Sequence, residues 1–140
     1  MSKGPEANFW NTIRQNLPSK ASATRIENVH GGGVPDVHVI WDGLPFWIEL
    51  KTTKSNAVNL RSHQVAWNMQ YWSRGGACFF LVKSLSDRSL HLFGGDQGPF
   101  LMEKGLKCGV GHVFGDVGAV FTALRPRLLN HYSNVCAPAP

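Results

Sequence analysis

Residues 33–51, GVPDVHVIWDGLPFWIELK, carry the clearest polar and apolar pattern in the chain. Two runs rich in β-branched and aromatic residues flank Asp42-Gly43, a dipeptide that predicts a two-residue hairpin turn. In that register Asp36 and Glu49 stand opposite each other on neighbouring strands. A four-residue loop would shift the pairing by two positions and keep each side chain on its face, whereas a three-residue loop or a bulge would not.

The two faces of this hairpin differ in chemistry because side chains alternate along a strand. One face is wholly apolar and is expected to join the core: Val37, Val39, Trp41, Leu44, Phe46, Ile48 and Leu50. The opposite face includes every ionisable group of the two strands, in the series Asp36, His38, Ile40, Pro45, Trp47, Glu49 and Lys51. This second face is the candidate for chemistry.

Helix and strand patterns lie on both sides of the hairpin. Residues 4–17 predict a first helix, and residues 57–74 predict a second one, which ends at Gly75-Gly76. The second helix carries a stripe of Leu60, Gln64, Trp67 and Tyr71. The apolar run at 77–82 predicts a buried parallel strand. Weaker signals predict a strand at 23–29, an edge strand at 88–93, and a last helix from Asp116 to Tyr132 that is kinked or broken at Pro126. The Gly-rich residues 94–115 give no clear pattern.

Together these elements predict an α/β fold with a mixed sheet flanked by helices, because strand, helix and buried strand follow one another in the chain. We expect one domain over residues 1–135 and a disordered tail over 136–140. No apolar run is long enough to span a bilayer, and the first residues lack the apolar centre of a signal peptide. A soluble, cytoplasmic protein without a membrane partner is therefore expected.

The charge balance favours a polyanionic partner. Fourteen Lys and Arg against nine Asp and Glu give a net charge of +5, and an excess of this sign favours contact with nucleic acid. The three cysteines are scattered and form no CxxC pair. They therefore predict neither a zinc site nor a disulfide scaffold.

The paired carboxylates of the hairpin need a compensating cation, because like charges in cross-strand register are destabilising. Lys51 supplies part of that charge. A divalent metal would supply more, since Mg²⁺ accepts carboxylate, carbonyl and water oxygens. The alternatives are a surface face with an Asp–Lys–Glu cluster, or one carboxylate that pairs with Lys51 while the other is solvated.

Pro35-Asp36 followed by Glu49-Leu50-Lys51, in this order of elements, resembles the PD-(D/E)XK nuclease superfamily. That resemblance implies a restriction-endonuclease-like αβββαβ core. With Glu6 in the first helix and Gln64 in the crossover helix, the chain is similar to the VRR-NUC group, small nucleases related to Holliday-junction resolvases. The resemblance covers residues 5–83.

The resemblance also implies roles for the candidate site. Asp36, Glu49 and the main-chain carbonyl of Leu50 would hold Mg²⁺ or Mn²⁺. Lys51 would orient or help deprotonate the attacking water, or stabilise the charge that develops on the phosphate. Glu6 would hold a second metal or its water, and Gln64 would position the site or a phosphate. Glu6 equally suits the positive end of a helix, and Gln64 equally suits a hydrogen-bonded core position.

The function implied is a metal-dependent DNA endonuclease that prefers Holliday junctions or other branched DNA. Resolvases of this superfamily act as homodimers, and residues 94–121 are the candidate dimer surface. The small size suggests a phage or mobile-element protein. Phosphate contacts are expected from Lys54, Arg61, Arg74 and Arg25. The alternatives are a nicking, non-specific or single-strand nuclease of the same fold, which includes one acting on RNA, and an inactive nucleic-acid-binding protein.

Overall fold

The computed structural model describes residues 4–26 and 32–135. Its helices are α1 (Pro5–Gln15), α2 (Ser62–Ser73), α3 (Gly98–Lys104) and α4 (Val117–Val135). Its strands are β1 (Ala21–Arg25), β2 (Val37–Trp41), β3 (Leu44–Thr53), β4 (Cys78–Ser84), β5 (Leu90–Gly94) and β6 (His112–Phe114). Short 3-10 helices lie on either side of α3, at Gly95–Gln97 and Gly105–Cys108.

The strands lie side by side in the order in which they occur in the chain. β3 and β4 are parallel, and the other neighbouring pairs among the described residues are antiparallel. A parallel pair needs a long crossover connection, which α2 supplies. The predicted α/β class is therefore confirmed: a mixed sheet flanked by helices, in the order αβββαβ.

The predicted hairpin is confirmed in its register. Asp42 and Gly43 form the turn with φ angles of 50° and 82°, the left-handed conformations that a tight hairpin turn of this kind requires. The facing residues of the two strands are Trp41 and Leu44, Val39 and Phe46, and Val37 and Ile48. Strand alternation then places Asp36, Glu49 and Lys51 on the same face.

Two apolar cores cover the two faces of the sheet. The core under α1 and α4 takes the apolar face of the hairpin and includes Phe9, Ile13, Phe46, Ile48, Phe79, Leu81, Phe121 and Leu124. The core under α2 and α3 consists of Val58, Leu60, Val65, Phe80, Val82, Phe93 and Leu101. Burial of each such side chain contributes roughly 1.5–3 kcal/mol. The ionisable face of the hairpin belongs to the second side, next to α2.

α2 begins at Ser62, later than the predicted start at residue 57. The apolar spacing extends beyond the helix because an irregular segment before it sends two side chains into the second core, Val58 and Leu60. The buried side chains of α2 are Val65 and Asn68. The predicted stripe is therefore the half-buried flank of the helix rather than its core face, and its helical members are Gln64, Trp67 and Tyr71.

The predicted edge position of the strand at 88–93 is wrong. β5 lies between β4 and β6, and its apolar residues are buried. The edge on this side is β6, which pairs with β5 through Leu90 and Phe114. β6 comes from the Gly-rich part of the chain, whose three-residue strand is too short to give a periodic signal.

Two further elements differ from expectation. β1 ends at Arg25, and residues 27–29 of the predicted strand lie outside the described residues. α4 continues through Pro126, so the predicted break there is wrong, while the alternative of a kink stays a prediction. Its Phe121, Leu124 and Leu128 are buried in the first core, and this packing outweighs the one hydrogen bond that proline removes.

Residues 136–140, the predicted tail, also lie outside the described residues. The division into one domain stays a prediction. Within residues 4–26 and 32–135, no helix combines the length and the apolar character needed to cross a membrane.

Candidate active site

The candidate site lies at the start of β2 and beside the middle of β3. The main-chain N–H of Asp36 donates a hydrogen bond to Oε2 of Glu49 at 3.1 Å. In return, Oδ2 of Asp36 accepts one from the N–H of Leu50 at 3.1 Å. Each carboxylate is thus held by the main chain of the other strand, and the pair is fixed across the hairpin.

Lys51 lies on the same face of β3 as Glu49. Its Nζ is 3.6 Å from Oε1 of Glu49, and the exposed fractions of the two side chains are only 14% and 3%. When Glu49 is ionised, this ion pair is electrostatically stronger than a surface pair, because little water surrounds it. A cluster that lies wholly at the surface therefore does not fit Glu49, which is buried. The other alternative, one carboxylate paired with Lys51 and the other solvated, stays open.

Gln64 connects the carboxylates to α2. Its Nε2 donates to Oε1 of Glu49 at 2.8 Å, and its Oε1 accepts from the N–H of Arg61 at 3.0 Å. Oε1 of Glu49 therefore accepts the hydrogen bond from Gln64 and lies next to the ammonium group of Lys51. Oε2 accepts the hydrogen bond from the main chain of Asp36. Gln64 is half-buried and hydrogen-bonded to the candidate site rather than to the core.

Gly33 explains why α2 can approach this end of the hairpin. Its φ is +81°, and a Cβ built on it would lie 2.7 Å from the carbonyl carbon of His63. No side chain fits between the segment before Asp36 and the first turn of α2, and the left-handed backbone also favours glycine. This contact sets the position of Gln64 relative to Glu49.

The electrostatics of the site are unfavourable for two ionised carboxylates. Burial raises the pKa of Glu49 to about 8, and the charge of Asp36 adds to the rise, while Lys51 opposes it. Burial also raises the pKa of Asp36, against the hydrogen bond from Leu50 and the charge of Lys51. The main physical cause is the same for both groups: burial removes the water that would otherwise solvate the charged carboxylate.

A divalent cation fits this donor set. Two carboxylates with raised pKa values offer hard oxygen ligands, which Mg²⁺ and Mn²⁺ prefer. Within the described residues, no group of three or more His, Cys, Asp or Glu side chains is close enough to hold a metal. A cation would thus bind through Asp36 and Glu49 together with main-chain, water or phosphate oxygens. The carbonyl of Leu50 stays a predicted ligand.

Glu6 lies at the edge of the site, in the first turn of α1. Its side chain is exposed, yet partial burial of the carboxyl raises its pKa, and Asp36 raises it further. Lys51 and Arg25 act in the opposite direction. Glu6 is therefore within electrostatic reach of the site, while its role as a metal ligand stays a prediction.

The four predicted phosphate contacts, Lys54, Arg61, Arg74 and Arg25, are all exposed. Arg25 ends β1 and acts electrostatically on both Asp36 and Glu6. Arg61 is the N-cap of α2 and lines a pocket of about 140 Å³ next to Asp36 and Gln64. Arg74 is the C-cap at the other end of α2, so it lies away from the carboxylates.

Sequence reasoning did not single out two residues at this site. His63 lines the same small pocket as Asp36 and Arg61. Gly33, the second residue, contacts the main chain of His63. Both residues lie at the site because the first turn of α2 packs against the start of the hairpin. No local pattern in the sequence predicts this packing.

No protein-family model matches the sequence, and no curated protein matches it either. Among solved structures, Hjc, a Holliday junction resolvase from the archaeal hyperthermophile Archaeoglobus fulgidus, is similar to this chain with a TM-score of 0.46 and 15% sequence identity. The similarity covers 81% of this chain and 85% of that chain. A similarity at this level carries no argument about function, and the VRR-NUC resemblance stays a prediction.

Proposed function

We propose that the chain is a metal-dependent endodeoxyribonuclease of the PD-(D/E)XK type, which hydrolyses phosphodiester bonds in DNA. One observation carries this proposal: reciprocal hydrogen bonds hold Asp36 against Glu49 in a buried place, and Lys51 stands beside them. Burial of two neighbouring carboxylates destabilises a fold unless a cation compensates them. Their assembly therefore favours a binding site over a structural role.

Asp36 and Glu49 would hold the divalent cation, Mg²⁺ or Mn²⁺. When bound, such a cation lowers the pKa of water and neutralises the phosphate oxygens that do not take part in the scissile bond. Both carboxylates must be ionised to bind it, so binding releases the proton that the raised pKa of Glu49 retains near neutral pH.

Lys51 would supply the fixed positive charge of the reaction. Its ammonium group is largely shielded from water, where a charge stabilises developing negative charge more strongly than in bulk solvent. The same group can hold a water by hydrogen bonding. Either role needs the ammonium at its present place beside Glu49.

Gln64 would act as a positioning residue. It bridges Glu49 and the main chain of Arg61, so it fixes the carboxylate relative to the first turn of α2. Glu6, at the rim, would hold a second cation or its water. Arg25 and Arg61 would contact the phosphates that flank the scissile bond.

Branched DNA such as a Holliday junction is the proposed substrate, on the ground of the sequence resemblance and the net charge of +5. Action as a homodimer, action in the cytoplasm and a phage origin remain predictions. Residues 94–121, the predicted dimer surface, include Leu101, Val117, Val120 and Phe121, which are buried inside the described chain. The exposed Phe100, Met102 and Val113 are the remaining candidates on this segment.

A cleavage assay tests the proposal. Supercoiled plasmid, linear duplex, single-stranded DNA and a four-way junction are incubated with purified protein in Mg²⁺, in Mn²⁺ and in chelator. We expect cleavage only with metal. Because each variant removes a group that acts on the metal or on the phosphate, Glu49→Gln and Lys51→Met should each lower the rate at least a hundredfold.

Matched controls are Glu103→Gln and Lys104→Met, which alter exposed charges on α3 and should leave the rate within twofold. Metal-dependent DNA binding with no cleavage of any of these substrates would favour the inactive binding protein instead. Cleavage that survives Glu49→Gln would remove the mechanism.

A further inference from the structure

A row of four aromatic rings runs across the hairpin to α2. His38 and Trp47 are cross-strand partners with ring centroids 4.8 Å apart. Trp47 meets Trp67 of α2 at 5.9 Å, and Trp67 stacks on Tyr71 at 4.8 Å with an interplanar angle of 16°. We refer to His38, Trp47, Trp67 and Tyr71 as the aromatic row.

The aromatic row starts at the candidate active site. His38 and Trp47 each lie two residues along a strand from a carboxylate, and therefore on the same face. On α2, Trp67 follows Gln64 by one turn, and Gln64 bonds to Glu49. The row and the carboxylates thus lie on the same side of the sheet, next to α2.

The rings of the aromatic row are half-buried, whereas core residues such as Phe46 and Phe80 are fully buried. Beside them, Ile40 on the same face of β2 is 44% exposed. Half-buried rings with an exposed apolar neighbour, next to a polar site, are typical of an interaction surface. The end of the row is also held in place, since a Cβ on Gly76 would lie 2.5 Å from two ring carbons of Tyr71.

The surroundings of the row are positively charged. α2 contains no acidic residue, and exposed arginines stand at its two ends, Arg61 and Arg74. At 1.5 Å per residue these caps are about 20 Å apart along the helix, which is long enough for several nucleotides of a strand. Aromatic rings between arginines form the pattern that proteins use to hold unpaired nucleotides, because every base has a face that can stack.

We propose that the aromatic row binds unpaired bases of a DNA strand whose backbone continues past Asp36 and Glu49. This inference rests on the proposed function and specifies the substrate class: DNA with a single-stranded segment, such as a flap, a gap or an open branch point. A fully paired duplex cannot use the row, since its base faces are already stacked inside the helix.

The test measures DNA binding in chelator, so that it does not depend on cleavage. Fluorescence anisotropy gives Kd for a labelled single-stranded oligonucleotide and for a blunt duplex of the same length, at fixed salt. Trp67→Ala should weaken binding of the single strand about tenfold or more and leave duplex binding within twofold. Leu129→Ala, which truncates an exposed apolar side chain on α4, is the control and should change neither.

A second arm uses wild-type protein alone and needs no variant to fold. Oligonucleotides with several consecutive abasic positions keep the phosphates and lack the bases. If bases stack on the row, their removal should weaken single-strand binding about tenfold or more, and tryptophan fluorescence should be quenched only by the intact strand. Equal affinity for intact and abasic strands would overturn the inference, because the contact would then be to phosphate alone.

The variant arm can also overturn the inference. Trp67→Ala that weakens duplex and single strand equally would assign the row to folding or to a protein partner. A protein that passes the binding test and yet cleaves nothing in Mg²⁺ or Mn²⁺ would lose the proposed activity and keep this inference, so the two failures are distinguishable.

Discussion

Glu49 is the side chain whose protonation differs most clearly between the folded protein and a solvated carboxyl group. It is buried, it faces Asp36, and Lys51 stands beside it as a cation. The carboxylate is therefore held at an energetic cost that a bound cation would remove. Such preorganised charge is typical of sites that stabilise charged ligands or transition states.

The raised pKa of Glu49 predicts how stability depends on pH without metal. The pKa is about 8 in the folded protein, above the ordinary value of 4.5, so between these values the folded state binds more protons than the unfolded state. Stability is then highest below pH 4.5 as far as Glu49 is concerned, and falls as pH rises to about 8, by on the order of a few kcal/mol. Urea unfolding in chelator at pH 5, 7 and 9 measures this fall.

Glu49→Gln should remove most of the fall in stability, because the amide does not ionise. Mg²⁺ should restore stability to the wild-type protein at pH 9 and have no such effect on the variant. Glu103→Gln, which changes an exposed carboxylate, should keep the wild-type pH dependence. If wild type and Glu49→Gln show the same pH dependence of stability, the raised pKa assigned to Glu49 is wrong.

Two cysteines should differ in reactivity. Burial raises the pKa of Cys78 to about 12, with a further rise from Asp96, and its thiol lies within 3.4 Å of the carbonyl of Asn68. Little thiolate forms at pH 8, so iodoacetamide should label Cys78 at least tenfold more slowly than the half-buried Cys108. Peptide mapping by mass spectrometry measures both rates, and equal labelling would contradict the buried position.

At the level of elements, the site is assembled by the contact between the hairpin and α2. The hairpin brings Asp36, Glu49 and Lys51 to one face, and α2 adds Gln64. Gly33 permits the close approach of the two elements. The geometry of the carboxylates therefore depends on a residue that has no functional group.

Gly33→Ala should disturb this contact. The Cβ would collide with the main chain of His63, and the φ of +81° adds strain, so we expect a loss of about 2–4 kcal/mol in stability and at least a tenfold loss of cleavage. Gly109→Ala is the matched control, since Gly109 has a φ of +83° with open space around it. It should lose only about 1 kcal/mol and keep its activity. Similar losses of stability and activity in both variants would mean that the strain of the positive φ angle causes the effect, and not the contact of Gly33 with His63.

The parts of the fold that could be predicted are those with local signals. Alternation around Asp42-Gly43 predicts the faces and the register of the hairpin, so Asp36, Glu49 and Lys51 are placed correctly. Whether β5 lies at an edge depends on β6, a strand of three residues without a pattern. The predicted start of α2 is wrong because Val58 and Leu60 continue the apolar spacing of the helix into the irregular segment before it. The contact of Gly33 with α2 joins distant parts of the chain, and a single sequence carries no signal for it.

For the molecule as a whole, the exposed features and the charges both favour DNA binding on the side of the sheet next to α2. Helices cover both faces of the sheet. On the face next to α2, the half-buried aromatic rings lie close to the buried Glu49 and the half-buried Asp36. Arg25 and Arg61 stand at this place. Arg125 does not extend this surface, since it pairs with Asp42 at 3.0 Å and lies over the ring of Trp41.

The salt dependence of DNA binding tests where the phosphates lie. Each phosphate contact adds about one to the slope of log Kd against log salt concentration. Arg61→Ala should therefore lower the slope by about one, because its exposed side chain flanks the site. Lys104→Ala, an exposed charge on α3, should leave the slope unchanged. Equal slopes for wild type and Arg61→Ala would place the DNA elsewhere.

The central claim is that Asp36 and Glu49 together hold a divalent cation, and the anomalous scattering of Mn²⁺ in crystals of the protein tests it most directly. We expect a peak at about 2.0–2.2 Å from an oxygen of each carboxylate, and no peak there in Glu49→Gln. Mn²⁺ bound only at other residues, or no ion at this place at a concentration that supports DNA cleavage, would contradict the account.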